Sequence, residues 1–156
     1  MIEFGSEISW RRSQHEPFID NQFHRSHQWR FDGGETITAS ASHHIVPQPC
    51  STPDYVDPEE AFIAALSSCH MMAFLTIAAK RKYIVDQYID EAFGMLEEEG
   101  GGRSSITKVT LRPAIKFSGS RVPSREVLEK MHHVAHENCF IANSVKTTIT
   151  VDIIEC

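Results

Sequence analysis

Two cysteines, Cys69 in "AALSSCHMMAFL" and Cys139 in "AHENCFIANSV", stand 70 positions apart and set the chemical question. A thiolate is a strong nucleophile, but an unassisted thiol, with a pKa near ~8.5, is mostly protonated at neutral pH. Activation therefore needs a cation close by. His70 follows Cys69 directly, yet a helix turns it about 100° away, so adjacency does not make it the base. The better supplier is an arginine from another element, Arg25 or Arg30 of "FHRSHQWRF", oriented by a carboxylate such as Glu59 or Glu60. The competing reading is packing, because free cysteine is among the most buried residue types. Each of the two falls on the inward stripe of a predicted helix. A facing pair in a reducing compartment favours a transient disulfide if the Cα atoms approach within about 7 Å.

The other reactive side chains are weaker candidates. Cys50, in "VPQPCSTPDY", falls in a loop, and Cys156 ends the chain as an incidental thiol. No C-x-x-C pair exists, which argues against a zinc knuckle or a thioredoxin-type motif. His132, His136 and Cys139 follow an i, i+4, i+7 pattern that would put three zinc ligands on one helix face, but no fourth ligand lies nearby in sequence. Ser67 and Ser68 lack the flanking glycines of a serine nucleophile elbow. "EEEGGGRSS" lacks the glycine spacing of a phosphate loop and reads as a hairpin turn.

The elements that must carry these residues can be read in order. "IEFGSEISWRR" holds a short strand, and "FHRSHQWRF" and "GGETITASAS" form two more, joined at Gly33–Gly34 by a turn that needs positive φ. Residues 46–57, with Pro47, Pro49 and Pro53, form a surface loop. Asp57 caps a helix with Pro58 in its first position and Glu59 and Glu60 at the positive end of its dipole. That helix is apolar almost all round up to Lys80-Arg81-Lys82, which predicts a central helix covered on most sides. "DQYIDEAFGMLEEE" and "ITKVTLRPAIKF" then form a long hairpin over Gly100–Gly102, with Val109, Leu111, Ile115 and Phe117 on one face. Pro113 demotes its strand to an edge or a locally unpaired site. A second helix capped by Ser124 runs through "REVLEKMHHVAHENCF", with Leu128, Met131, Ala135 and Cys139 inward. "SVKTTITVDII" closes the chain as a strand. The order ββ(β)-α-ββ-α-β is an α+β domain spanning 1–156.

Bulk properties narrow the function. The formal charge of −6 argues against nucleic-acid binding. No stretch reaches the roughly 20 apolar residues of a bilayer span, and the N-terminus has no signal-peptide core. A cytoplasmic protein, with no membrane partner, is expected.

"DPEEAFIAALSSCHMMAFL", with "AHENCFIANSV" 70 positions after Cys69, resembles the osmotically inducible protein C and organic hydroperoxide resistance (OsmC/Ohr) family, in its OsmC-like branch. The resemblance runs from the first hairpin to the last strand. It implies an OsmC-like fold, antiparallel sheets wrapped around two central helices in an intertwined homodimer. It also implies a thiol-dependent peroxidase that reduces organic hydroperoxides, and hydrogen peroxide more weakly, without metal or cofactor. By the same resemblance Cys69 matches the peroxidatic cysteine, Cys139 the resolving cysteine and Glu59 the carboxylate after the proline. Arg25 matches the activating arginine, with Arg30 as the other candidate, and an external dithiol is the reductant. Phe62, Met71, Met72 and Phe140 would favour apolar hydroperoxides. The alternative function is a dimeric binding protein of the same fold without peroxidase activity.

Overall fold

The computed structural model describes residues 1–154, so Cys156 lies outside the described residues. The chain divides into two compact units, Met1–Ala61 and Phe62–Cys156.

In the first unit β1 (Ser6–Ser9), β2 (His27–Phe31) and β3 (Thr36–Ala39) form an antiparallel sheet in that order. The β2–β3 turn uses one left-handed glycine, Gly34 at φ +92°, whose N–H donates to the Phe31 carbonyl at 2.9 Å. The loop from β1 to β2 has its own small aromatic core. Phe18 stacks on Phe23 at 4.6 Å, Trp10 meets Phe23 edge-on at 5.5 Å, and the Trp10 indole donates to the His24 carbonyl. Glu16 ties this loop by accepting the His24 backbone N–H at 2.7 Å and contacting its ring Nδ1 at 2.8 Å. Beyond β3 the chain returns beside it, with Val56 bridged to Ala39, and so delivers Asp57 to the start of a helix.

That helix, α1 (Pro58–Lys80), opens on a reciprocal cap. The Glu60 N–H donates to Asp57 Oδ1 at 2.7 Å, and the Asp57 N–H donates to Glu60 Oε2 at 3.4 Å. It ends as expected in the basic run. Lys82 takes a left-handed φ of +65°, and the Tyr83 and Lys82 N–H groups bond back to the Ala78 and Ala79 carbonyls. Coverage differs from the sequence expectation. One stripe, Leu66, His70, Phe74 and Ala78, is buried, while Met72 on another face is 57% exposed. Contrary to the sequence reading, α1 has the length and the mean hydropathy, 1.8, of a membrane span. Those two properties do not distinguish a span from a core helix, and this one buries a polar histidine.

In the second unit the predicted long hairpin is split. β4 (Ile84–Asp90) pairs with β7 (Pro113–Ser118), and β5 (Phe93–Glu99) pairs with β6 (Arg103–Leu111), all antiparallel. The break comes at Asp90, whose Oδ1 accepts the Arg112 N–H at 2.5 Å and whose Oδ2 accepts the Ser67 hydroxyl at 2.5 Å. Pro113 begins β7, which pairs with β4 in a two-stranded sheet and on its other side meets, among the described residues, only Ile154, whose N–H donates to the Pro113 carbonyl at 3.0 Å. α2 (Arg125–Glu137) starts on Ser124, whose side chain accepts the Val127 N–H. The last strand, β8 (Thr148–Val151), joins β6 in parallel. Two apolar clusters form beneath these elements. Phe74, Ala78, Ile115, Met131 and Ala135 make one; Leu66, Val109 and Leu111 make the other.

Candidate redox site

Cys69 lies in the middle of α1, half-buried, one position before the buried His70. Cys139 is 1% exposed and is not on a helix, which corrects the expectation that α2 carries it. α2 stops at Glu137 because Asn138 caps it, its backbone N–H and its side-chain amide both turning back to the Val134 carbonyl. Cys139 follows in the turn that leads into a 3-10 segment, Ala142–Ser144. The proposed zinc face is thereby broken. Among the described residues no three His, Cys, Asp or Glu side chains are arranged to hold an ion.

The turn brings the Cys139 thiol into interaction range of Cys69. Cys50, Cys69 and Cys139 are all free thiols. Burial pushes the Cys139 thiol up to about 11, and the contact with Cys69 pushes the same way, against smaller opposing effects of the Ala142 and Ile141 N–H groups. Cys139 is therefore a thiol at neutral pH. Ala142 N–H points at Cys139 Sγ from 3.4 Å and holds the sulfur in place.

His70 is turned away from this chemistry, as its helical angle predicts. Its Nε2 lies 3.0 Å from His132 Nδ1, the two rings are parallel at 5.3 Å, and Phe74 stacks on His132 at 4.4 Å. Burial pulls His70 down to about 4 and His132 down to about 3, so both are neutral across the physiological range. The sequence singled out His132 as a candidate zinc ligand with His136 and Cys139; nothing local signals that it meets His70 instead.

The first unit holds the other predicted site residues. Arg25 does not pair with Glu59. Its guanidinium donates to the Asn21 carbonyl (3.1 Å), to Asn21 Oδ1 (2.6 Å) and to the Phe23 carbonyl, and lies 3.7 Å over the Phe23 ring. Glu59 keeps its Oε2 buried with no hydrogen-bond partner. Arg30 is on the surface, paired with Glu7 at 2.7 Å. Cys50 sits beside Arg25 through the backbone, its carbonyl accepting the Arg25 N–H at 2.8 Å. In the second unit a cleft of about 620 Å³ opens beside Phe62, with Ile106, Thr107, Lys146 and Thr147 along it. Of the other predicted apolar contacts, Phe140 is 81% exposed.

A family model described as OsmC-like protein matches residues 51–154. The chain belongs to the OsmC-like family. An OsmC-like protein of unknown function from Vibrio cholerae shares 56% identity over 99% of this chain and 100% of its own, with a TM-score of 0.96. Organic hydroperoxide resistance proteins share the OsmC-like fold at low identity. The one from Elizabethkingia anophelis is 16% identical (TM-score 0.69, 99% of this chain and 96% of that one). The one from Bacillus subtilis is 17% identical (TM-score 0.63, 98% of each). No curated protein matches the sequence of this OsmC-like chain.

Proposed function

We propose that this OsmC-like protein is a thiol-dependent peroxidase acting on organic hydroperoxides. The observation that carries the reading is a pair of free thiols, Cys69 and Cys139, close enough to act on each other. The Cys69 thiolate attacks the outer peroxide oxygen; the O–O bond breaks, the alkoxide takes a proton and leaves as alcohol, and Cys69 becomes a sulfenic acid. The Cys139 sulfur then displaces the hydroxyl, its proton leaving with it as water, and a disulfide forms. An external dithiol returns both cysteines to thiols and is itself oxidised. Arg25, as the cation that favours the thiolate, and Glu59, as the carboxylate that orients it, complete the reading once the guanidinium leaves Asn21 and Phe23, where it rests in this structure. The cycle requires a reducing compartment such as the cytoplasm, and the open apolar faces of α1 suit a homodimer.

One equivalent of cumene hydroperoxide, followed by mass spectrometry with and without dithiol, tests this directly. The expected result is a Cys69–Cys139 bridge that dithiol removes. Cys69→Ser abolishes turnover, and Cys139→Ser lets Cys69 proceed to sulfinic acid. Failure to turn over any alkyl hydroperoxide would overturn the reading. The second reading, a dimeric binding protein without peroxidase activity, is favoured by the engagement of Arg25 in its own loop. It expects no peroxide-induced bridge.

A further inference from the structure

Asn138 ends α2, and the chain turns around Cys139 before the 3-10 segment begins. Apolar burial does little for the middle of this turn: Phe140 and Ile141 are exposed, and Ala142 beyond them packs against the Leu66 cluster. Hydrogen bonds shape it instead. The Cys139 N–H donates to the His136 carbonyl at 3.2 Å, and the Cys139 carbonyl accepts the Asn143 N–H at 3.0 Å. The Ser144 hydroxyl donates to the Phe140 carbonyl at 2.7 Å. The Glu137 carbonyl breaks the helical pattern. In a continuing helix it would accept the N–H four positions on, that of Ile141. Here it accepts the side-chain amide of Asn143 at 3.0 Å. The N–H groups of Ile141 and Ala142 act on the Cys139 sulfur instead. Ala142 N lies 3.4 Å from Sγ, and the Ile141 N–H favours the same charged form of the sulfur.

We propose that Asn143 is a positioning residue for Cys139: by taking the Glu137 carbonyl, its side-chain amide leaves the Ile141 and Ala142 N–H groups to the sulfur. The consequence falls on the closing of the disulfide, and to that extent it rests on the peroxidase reading. The thiolate is the attacking form, and burial resists its formation at Cys139. As Cys139 attacks the Cys69 sulfenic acid, the S–S bond forms and the S–O bond breaks; the Cys139 proton and the departing hydroxide leave as water. Negative charge builds on the Cys139 sulfur as its proton departs, and the N–H groups already stand where that charge develops. Asn143 itself is exposed, so its replacement leaves the apolar clusters intact.

Asn143→Ala removes the amide, and Asn143→Asp keeps its shape but sets a carboxylate against the Glu137 carbonyl. Quenched-flow alkylation of the full chain with cumene hydroperoxide separates the two steps. In both variants the rate of Cys69 oxidation is expected to stay at the parent value while closure of the Cys69–Cys139 disulfide slows several-fold. Mass spectrometry is expected to find several-fold more Cys69 sulfinic acid per turnover, because the sulfenic acid waits longer for its partner. Equal slowing of both steps means general loosening, and closure at the parent rate means that the amide plays no part; either result overturns the proposal. An NMR arm needs no peroxide. In the reduced chain the Ile141 and Ala142 amide resonances are expected to shift on Cys139→Ser, and to lose most of that response when the same change is made in Asn143→Ala. Amides that respond equally in both backgrounds overturn the proposal. If the parent chain reduces no hydroperoxide, the peroxidase reading fails while the NMR arm still decides the role of Asn143.

Discussion

At the scale of single residues, the sulfur pair is asymmetric. Cys139 is enclosed and held as a thiol, while Cys69 is half-buried on its helix. Native protein treated with iodoacetamide at pH 8 is therefore expected to carry no label on Cys139 and to gain it once unfolded, as peptide mass spectrometry would show. Label on Cys139 in the folded protein would mean that its enclosure is wrong. The Ala142 N–H contact adds a second readout. A sulfur drawn into a disulfide moves off that N–H, so the Ala142 amide is expected to lose protection from hydrogen exchange on oxidation and regain it with dithiol.

Among the elements, what the sequence made legible was local. Asp57 and Ser124 announce their helices because a cap is a contact over three or four positions. The positions of Val109, Leu111 and Ile115 follow from alternation. What depended on distant partners was not legible. The apolar period of α2 runs on to Cys139, but Asn138 reverses the chain first and makes the cysteine a turn residue. The long hairpin looks continuous until Asp90, because the donors that split it, Ser67 and Arg112, lie 23 and 22 positions away. The Cys69–Cys139 contact was legible as a pairing of chemistry, and the Arg25–Glu59 contact was not found where the resemblance put it. Two element-level predictions follow from close approach and backbone strain. In β5, a methyl group on Gly94 would stand 2.9 Å from Ile63 Cδ1 and 3.2 Å from Ile106 Cγ2, so Gly94→Ala is expected to destabilise by roughly 1–3 kcal/mol in urea unfolding. Lys82→Gly relieves a left-handed lysine after α1 and is expected to stabilise by about 1 kcal/mol in the same assay.

For the whole molecule, two properties stand out. The first is acid sensitivity. His70 and His132 bind protons less readily folded than unfolded, so the unfolded chain is favoured as pH falls below about 6.5. Stability is fully present above that value and is expected to decline by a few kcal/mol toward pH 4. Denaturant melts across this window check it, and His70→Leu combined with His132→Phe should flatten the slope. The second is the uncovered face of α1. If two copies meet there, Met72→Asp is expected to halve the mass seen by light scattering while leaving the fold intact by circular dichroism.

Asp90 carries a consequence of its own. Its two oxygens join the corner of the split hairpin to Ser67, two positions before Cys69. Leu66 and Phe74 seat α1 in the two apolar clusters and His70 meets His132, and Asp90 adds a polar hold beside them. The carboxylate acts as a peg driven in from the sheets: it gives α1 a fixed zero mark, and the height of Cys69 along the axis is measured from there. The meeting of the two sulfurs is thus a matter of alignment between helix and sheet as much as of the cysteines themselves.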